Sequence, residues 1–225
     1  MNSTQERATV KHHSFPRLRS ITSQDEENHW KEYLMNLHGI TGLKPVHEQM
    51  LEFTRYFKKQ ELEGRKLFHL SVTYKPYDES RYDKKNYKDN SPYGAKKTNE
   101  YFINFYTKNF LPFLMNTRNY NSPPKRMIQP ICYSFLDEHE MKRVFINGVP
   151  SFRLKLHHHA IVAVHPETYQ RMCDLEGENA IPIRSRFASK VMTTFVRECE
   201  PMTVLYACKM MQRYPDFLSF PDRLH

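Results

Sequence analysis

The chain has no apolar run approaching the roughly 18–20 residues needed to cross a bilayer, so no helical membrane span is expected. Its first residues, MNSTQERATVKHHSF, lack the apolar stretch of a secretory signal. Cysteine is sparse: Cys132, Cys173, Cys199 and Cys208 lie far apart and form no CxxC pair. That spacing argues against a zinc ribbon and against a thioredoxin-like motif. Reduced thiols in a cytoplasmic protein are the expectation. No GxxxxGK[ST] loop is present, so no fused helicase is expected. No internal repeat is visible either.

Acidic residues are also in deficit. Asp and Glu total 25 against 34 Lys and Arg, a formal charge of +9 with histidine neutral. A basic balance suits a polyanionic partner without identifying it. With 225 residues, 39% of them hydrophobic, the chain can build one sizeable core.

Residues 1–25 are polar and aperiodic and read as a flexible tail. Residues 26–65 read as a helical extension: Trp30, Tyr33, Leu34 and Leu37 share one helical face, and Pro45 suits the first turn of a second helix. The segment LFHLSVTY at 67–74 is short, aromatic and β-branched, which predicts a strand. Residues 98–115 predict a helix that Pro112 ends or bends. Strands are expected near 127–138, 151–165 and 190–197, with helices near 166–173 and 201–213. Residues 216–225 read as a C-terminal tail. This order is that of a split βαβ, ferredoxin-like α+β domain over 66–215. It predicts an antiparallel sheet with helices on one face and the other face open.

Three features bear on chemistry. The first is HHHAIVAV, in which His157 and His159 share one face of a strand and His158 the other. Two imidazoles so placed can share a divalent ion. Phosphate chemistry usually adds a carboxylate. The preceding strand ends in FLDEHE, where Glu138 is the first choice as third ligand, with Glu140 and Asp137 as alternates. The second is LYACK at 205–209, where Tyr206 and Lys209 are spaced to share a helical face. The third is the loop at 75–97, in which basic residues and tyrosines alternate. Lys84, Lys85 and Lys88 there suit a nucleic-acid backbone, and Arg184, Arg186 and Lys190 are further candidates for phosphate contact.

Taken in order, these motifs resemble the HUH endonuclease superfamily. More narrowly, the chain looks like the single-tyrosine replication initiators of rolling-circle plasmids and single-stranded DNA phages. LFHLSVTY is similar to the family's first motif, FLDEHE to its acid-bearing strand, LHHHAIVAVH to its two-histidine motif and LYACK to its tyrosine motif. His158 departs from the bulky apolar residue usual between the two histidines. The resemblance implies that His157, His159 and an acid hold one Mg²⁺ or Mn²⁺. It implies that Tyr206 attacks a scissile phosphate in single-stranded or hairpin origin DNA, with Lys209 stabilising charge. The products would be a 5′-phosphotyrosine and a free 3′-OH. A host helicase and DNA polymerase would be the protein partners. A non-catalytic single-strand-binding module, or a transposase or relaxase of the same superfamily, are the alternatives.

Overall fold

The structure is a computed structural model, and it describes residues 22–74, 92–140, 144–146, 149–151, 154–183 and 188–221. Most of the expected N-terminal tail, residues 1–21, lies outside the described residues.

Helix α1, Gln24–His38, begins where Ser23 caps it. The Ser23 hydroxyl accepts from the Glu26 backbone N–H, and the Glu26 carboxylate accepts from that of Ser23. It ends at Gly39, whose φ of 60° is the left-handed turn that glycine adopts without a Cβ clash. Helix α2, Pro45–Leu62, opens on proline, whose missing N–H costs nothing in a first turn.

The sheet strands are β1 (Lys66–Tyr74), β2 (Ile131–Glu140), β5 (Leu154–Val164), β6 (Gly177–Glu178), β7 (Val191–Glu198) and β8 (Phe217–Phe220). A separate two-stranded ladder, β3 (Val144–Ile146) with β4 (Val149–Ser151), occupies the connection between β2 and β5. The sheet order is β6-β7-β1-β5-β2-β8, and every pairing is antiparallel. The central four, β7-β1-β5-β2, follow the split βαβ plan.

Helix α3 (Pro92–Phe105) lies between β1 and β2 in the chain, followed by a π-helical turn at Tyr106–Phe110, α4 (Leu111–Leu114) and α5 (Pro123–Met127). Pro112 does not end this helix. The π turn precedes it, and the Leu111 N–H reaches back to the Tyr106 carbonyl. Such a turn shifts the hydrogen-bond pattern where proline would otherwise clash with it. Helix α6, Pro166–Cys173, joins the β5 side to β7. Helix α7 is only Thr203–Ala207, and turns continue from it to Arg213.

Helices cover both faces of the sheet. On one face Phe102, Phe105, Phe110 and Met172 pack with Phe68, Leu70, Ala160 and Val162. On the other, Trp30, Leu34, Phe53 and Phe57 from α1 and α2, with Val204 and Leu205 from α7, pack with Leu67, Tyr133, Phe135 and Ile161. The N-terminal helical extension is thus the second layer of the domain. Phe53 sets its ring edge-on to Phe135 and Phe217, with centroids 5.2 and 4.9 Å apart. Such aromatic pairs contribute about 0.5–1.5 kcal/mol beyond their burial. The expected C-terminal tail contains β8, in which Phe217 enters one core and Leu218 the other. Beyond the helices, the second sheet face continues to β7, where Phe195 is exposed.

Candidate metal centre

The site follows from strand register. β1 pairs with β5 so that Ser71 opposes His159 and His69 opposes Ile161. β2 pairs with β5 so that Asp137 opposes His157 and Phe135 opposes His159. Directly opposed residues point to one face. Asp137, His157, His159 and His69 therefore project from three adjacent strands to the face that carries α2 and α7.

Their polar atoms converge. Asp137 Oδ2 lies 2.9 Å from His159 Nε2 and 3.4 Å from His157 Nε2. The two Nε2 atoms are 3.1 Å apart. All three side chains are buried, and together they can hold a metal ion. For bonds of about 2.1 Å, adjacent octahedral ligands stand roughly 3 Å apart, so this donor set fits one small ion. The other carboxylate oxygen, Oδ1, accepts the Glu138 backbone N–H at 2.8 Å and so fixes the Asp137 rotamer.

Burial raises the Asp137 carboxyl's proton affinity, but hydrogen bonds from His157, His159 and Lys209 outweigh it and hold the group well below the usual carboxylate range. His159 is pushed down to about 4, first by burial and then by the charge of His157 and Lys209, against the pull of Asp137. His69 is pushed down to about 3 by burial and by the positive groups around it. A neutral His159 imidazole beside an ionised Asp137 carboxylate is what a divalent ion requires of these two groups.

Glu138, the first choice from sequence, is not in this group. Its carboxylate instead accepts from Arg213, and from the Tyr214 hydroxyl at 2.8 Å. The alternate Asp137 takes the place beside the histidines because the register sets it, and not its neighbour, opposite His157. The backbone of Glu140 ends β2, opposite Leu154.

Tyr206 and Lys209 do reach the site. The Tyr206 ring centroid is 5.2 Å from that of His159, and the residue is 39% exposed. Lys209 Nζ stands 4.0 Å over the Tyr206 ring and donates to Asp137 Oδ2. Lys190 is exposed just before β7. Lys84, Lys85, Lys88, Arg184 and Arg186 lie outside the described residues.

His158 points to the opposite face, as strand alternation predicts, and is fully buried. Its Nε2 lies 3.0 Å from Asn99 Oδ1, which can only accept, so Nε2 carries the proton. Nδ1 then accepts from the Tyr74 hydroxyl at 2.8 Å. This neutral tautomer fastens the histidine strand to α3 and to β1, and explains how a polar residue is tolerated in that core.

No protein-family model matches the sequence, and searches of curated proteins and of solved structures return no match. The functional reading therefore rests on the residues themselves.

Proposed function

We propose that this chain nicks and rejoins single-stranded DNA by metal-dependent transesterification through Tyr206, as an initiator of rolling-circle replication. The observation that carries the reading is the convergence of Asp137, His157 and His159 on one point, with the exposed ring of Tyr206 beside His159. Asp137, His157 and His159 would hold Mg²⁺ or Mn²⁺. When bound, the ion supplies Lewis-acid polarisation of a phosphate oxygen.

The remaining chemistry belongs to the chain. The Tyr206 Oη attacks phosphorus, a tyrosine–phosphorus bond forms, and the bond from phosphorus to the 3′ oxygen breaks. The 3′ oxygen leaves with a proton as a free hydroxyl, and the phenol's proton passes to solvent. Attack by another 3′-OH reverses the step, so no ATP is consumed. Lys209, over the Tyr206 ring, offsets charge that develops near the attacking oxygen. A three-atom donor set from rigid strands gives the positioning that such in-line attack needs.

The surrounding surface supports a single-stranded or hairpin DNA substrate. In the register of β1 with β7, Ser71 opposes Phe195 and His69 opposes Arg197. An exposed aromatic ring and a guanidinium therefore share the sheet face of the metal centre, where a base can stack and a phosphate can pair. Lys190, exposed just before β7, adds a further positive charge; Lys84, Lys85, Lys88, Arg184 and Arg186 are proposed for phosphate contact from the sequence alone. In this reading a host helicase and a DNA polymerase in the cytoplasm would be the protein partners. Among the described residues, no helix is long and apolar enough to cross a membrane.

The test is to mix the full chain with Mn²⁺ and a pool of single-stranded and hairpin DNA, denature it, and search for a covalent protein–DNA adduct by mass. An adduct on Tyr206, absent with EDTA and from Tyr206→Phe, is the expected result. Tight DNA binding without an adduct would replace the enzyme with a binding module.

A further inference from the structure

His69 belongs to none of the motifs read as metal ligands, yet it touches the metal centre. It opposes Ile161 on β5, which makes His159 its diagonal neighbour on the same face. Diagonal neighbours lie about 7–8 Å apart, within reach of long or aromatic side chains. Here the two rings stack with centroids 4.9 Å apart, and His69 Nε2 stands 2.9 Å from His159 Nδ1. His69 is only 6% exposed, so water does not readily replace it as a partner. It also meets the Tyr206 ring nearly at right angles, with centroids 6.3 Å apart.

We infer that His69 is a positioning residue of the metal centre, which fixes the orientation and tautomer of His159. The inference rests on the metal reading of Asp137, His157 and His159. The chemistry follows from what His159 has to spare. Its Nε2 faces Asp137 and His157, so an ion takes the Nε2 lone pair. The ring's one proton then sits on Nδ1, and Nδ1–H needs an acceptor. His69 Nε2 is the group in place to accept it. Metal-bound histidines nearly always have such a partner, and its loss typically weakens metal affinity by about 10–100-fold.

The identity of this acceptor bears on the substrate. Outer partners of this kind are commonly carboxylates. A carboxylate at position 69 would add a negative charge beside Asp137 and reduce the site's attraction for an anion. A neutral imidazole leaves a divalent ion and one carboxylate with a net positive charge, which suits a phosphodiester. His69 thereby serves the same substrate class as the ligands it supports, without touching it. Its contact with Tyr206 also ties the ring of the attacking residue to the same column of side chains.

The experiment compares Mn²⁺ affinity of the full wild-type chain with that of His69→Gln and His69→Phe. Phenylalanine keeps the stacking surface and loses the acceptor, whereas the glutamine amide oxygen can reach the former Nε2 position and keep the bond. The expected order is wild type, then His69→Gln close behind, then His69→Phe weaker by about 10–100-fold. The reverse order, or equal affinities in all three, overturns the positioning role and leaves the metal centre standing. No Mn²⁺ uptake by the wild type overturns the metal centre itself, and this inference with it. A second measurement needs no variant: ¹⁵N–¹H correlation of the imidazoles in Zn²⁺-loaded wild type. A His159 pattern with the proton on Nδ1 is expected, and a proton on Nε2 rejects the assignment.

Discussion

Asp137 sits directly opposite His157 in the ladder between β2 and β5, and its Oδ2 atom also reaches 2.9 Å from His159 Nε2. One acid thus serves both imidazoles, while its neighbour Glu138 is bound to Arg213 and Tyr214. Asp137→Asn keeps the shape but loses the charge that a divalent ion needs. It is expected to cost more than the roughly 10–100-fold in affinity that an outer-shell partner contributes. Glu138→Gln is expected to bind Mn²⁺ nearly as well as wild type. Calorimetric titration of the full chain separates the two, and equal losses would move the site toward Glu138.

Lys209 donates to the same Asp137 oxygen and lies over the Tyr206 ring, which sets two effects against each other. An incoming ion competes with the ammonium for Oδ2, so Lys209→Met is expected to bind Mn²⁺ several-fold more tightly. The same change removes positive charge near the phenol proposed to attack. Removal of one such stabilising group typically slows a reaction by about 10²–10³-fold, and covalent adduct formation is expected to slow on that scale. Tighter metal with slower adduct is the signature. Weaker metal binding would mean that Lys209 supports the ligands instead of competing with the ion.

Much of the architecture was legible in local pattern. The strand read at 67–74 is β1, and the helix read at 166–173 is α6. The histidine strand showed which imidazoles pair, because alternation is a property of a single strand. What local pattern does not carry is the register between strands. Asp137 and Glu138 differ by one residue, and a one-residue shift exchanges faces. Their choice was settled by how β2 slides against β5, across the connection that holds β3 and β4. His69 could be read as a residue of the first strand able to enter the site, but also as an ordinary packed histidine, because the sequence does not show which residue of β5 it meets. The strand β8 escaped because it is only four residues long and its apolar residues serve both cores, Phe217 one and Leu218 and Phe220 the other, which leaves no apolar–polar alternation to read.

His158 gives a prediction about stability. Replacing it with an apolar residue, as His158→Leu, strands the buried Tyr74 hydroxyl and takes a partner from the half-buried Asn99 carbonyl. Each buried polar group left without a partner costs about 1–3 kcal/mol. Adding Tyr74→Phe removes one of the two orphans and is expected to recover about 1 kcal/mol or more of the loss. Urea denaturation of the two single variants and the double variant measures this coupling. Strictly additive costs would show that the hydroxyl and the imidazole do not depend on each other.

The layer formed by α1 and α2 carries its own ionic fastening, which makes the stability of the fold depend on acid. Glu27 accepts from Arg55 Nε at 2.6 Å and from Arg55 Nη2 at 2.7 Å, and Thr22 donates to it at 2.8 Å. Arg55 also pairs with Glu52, at 2.7 Å, and Lys31 stands 4.0 Å from Glu27. The Arg55 hydrogen bond, working against burial, lowers the Glu27 pKa below its ordinary 4.5. A carboxyl with a lowered folded pKa stabilises the native state above the unfolded value. That contribution is lost as the pH falls from about 4.5 through the folded value. At pH 7, Glu27→Gln leaves Arg55 short of one partner, where breaking a buried pair costs about 3–5 kcal/mol; Glu52 places the expected loss near the lower end. Below the folded value both proteins carry a neutral group at position 27, so the gap between them should narrow. Urea midpoints of wild type and Glu27→Gln at pH 7 and pH 3 test this. A gap that stays constant across that range would mean that shape, and not charge, makes Glu27 hold α1 to α2.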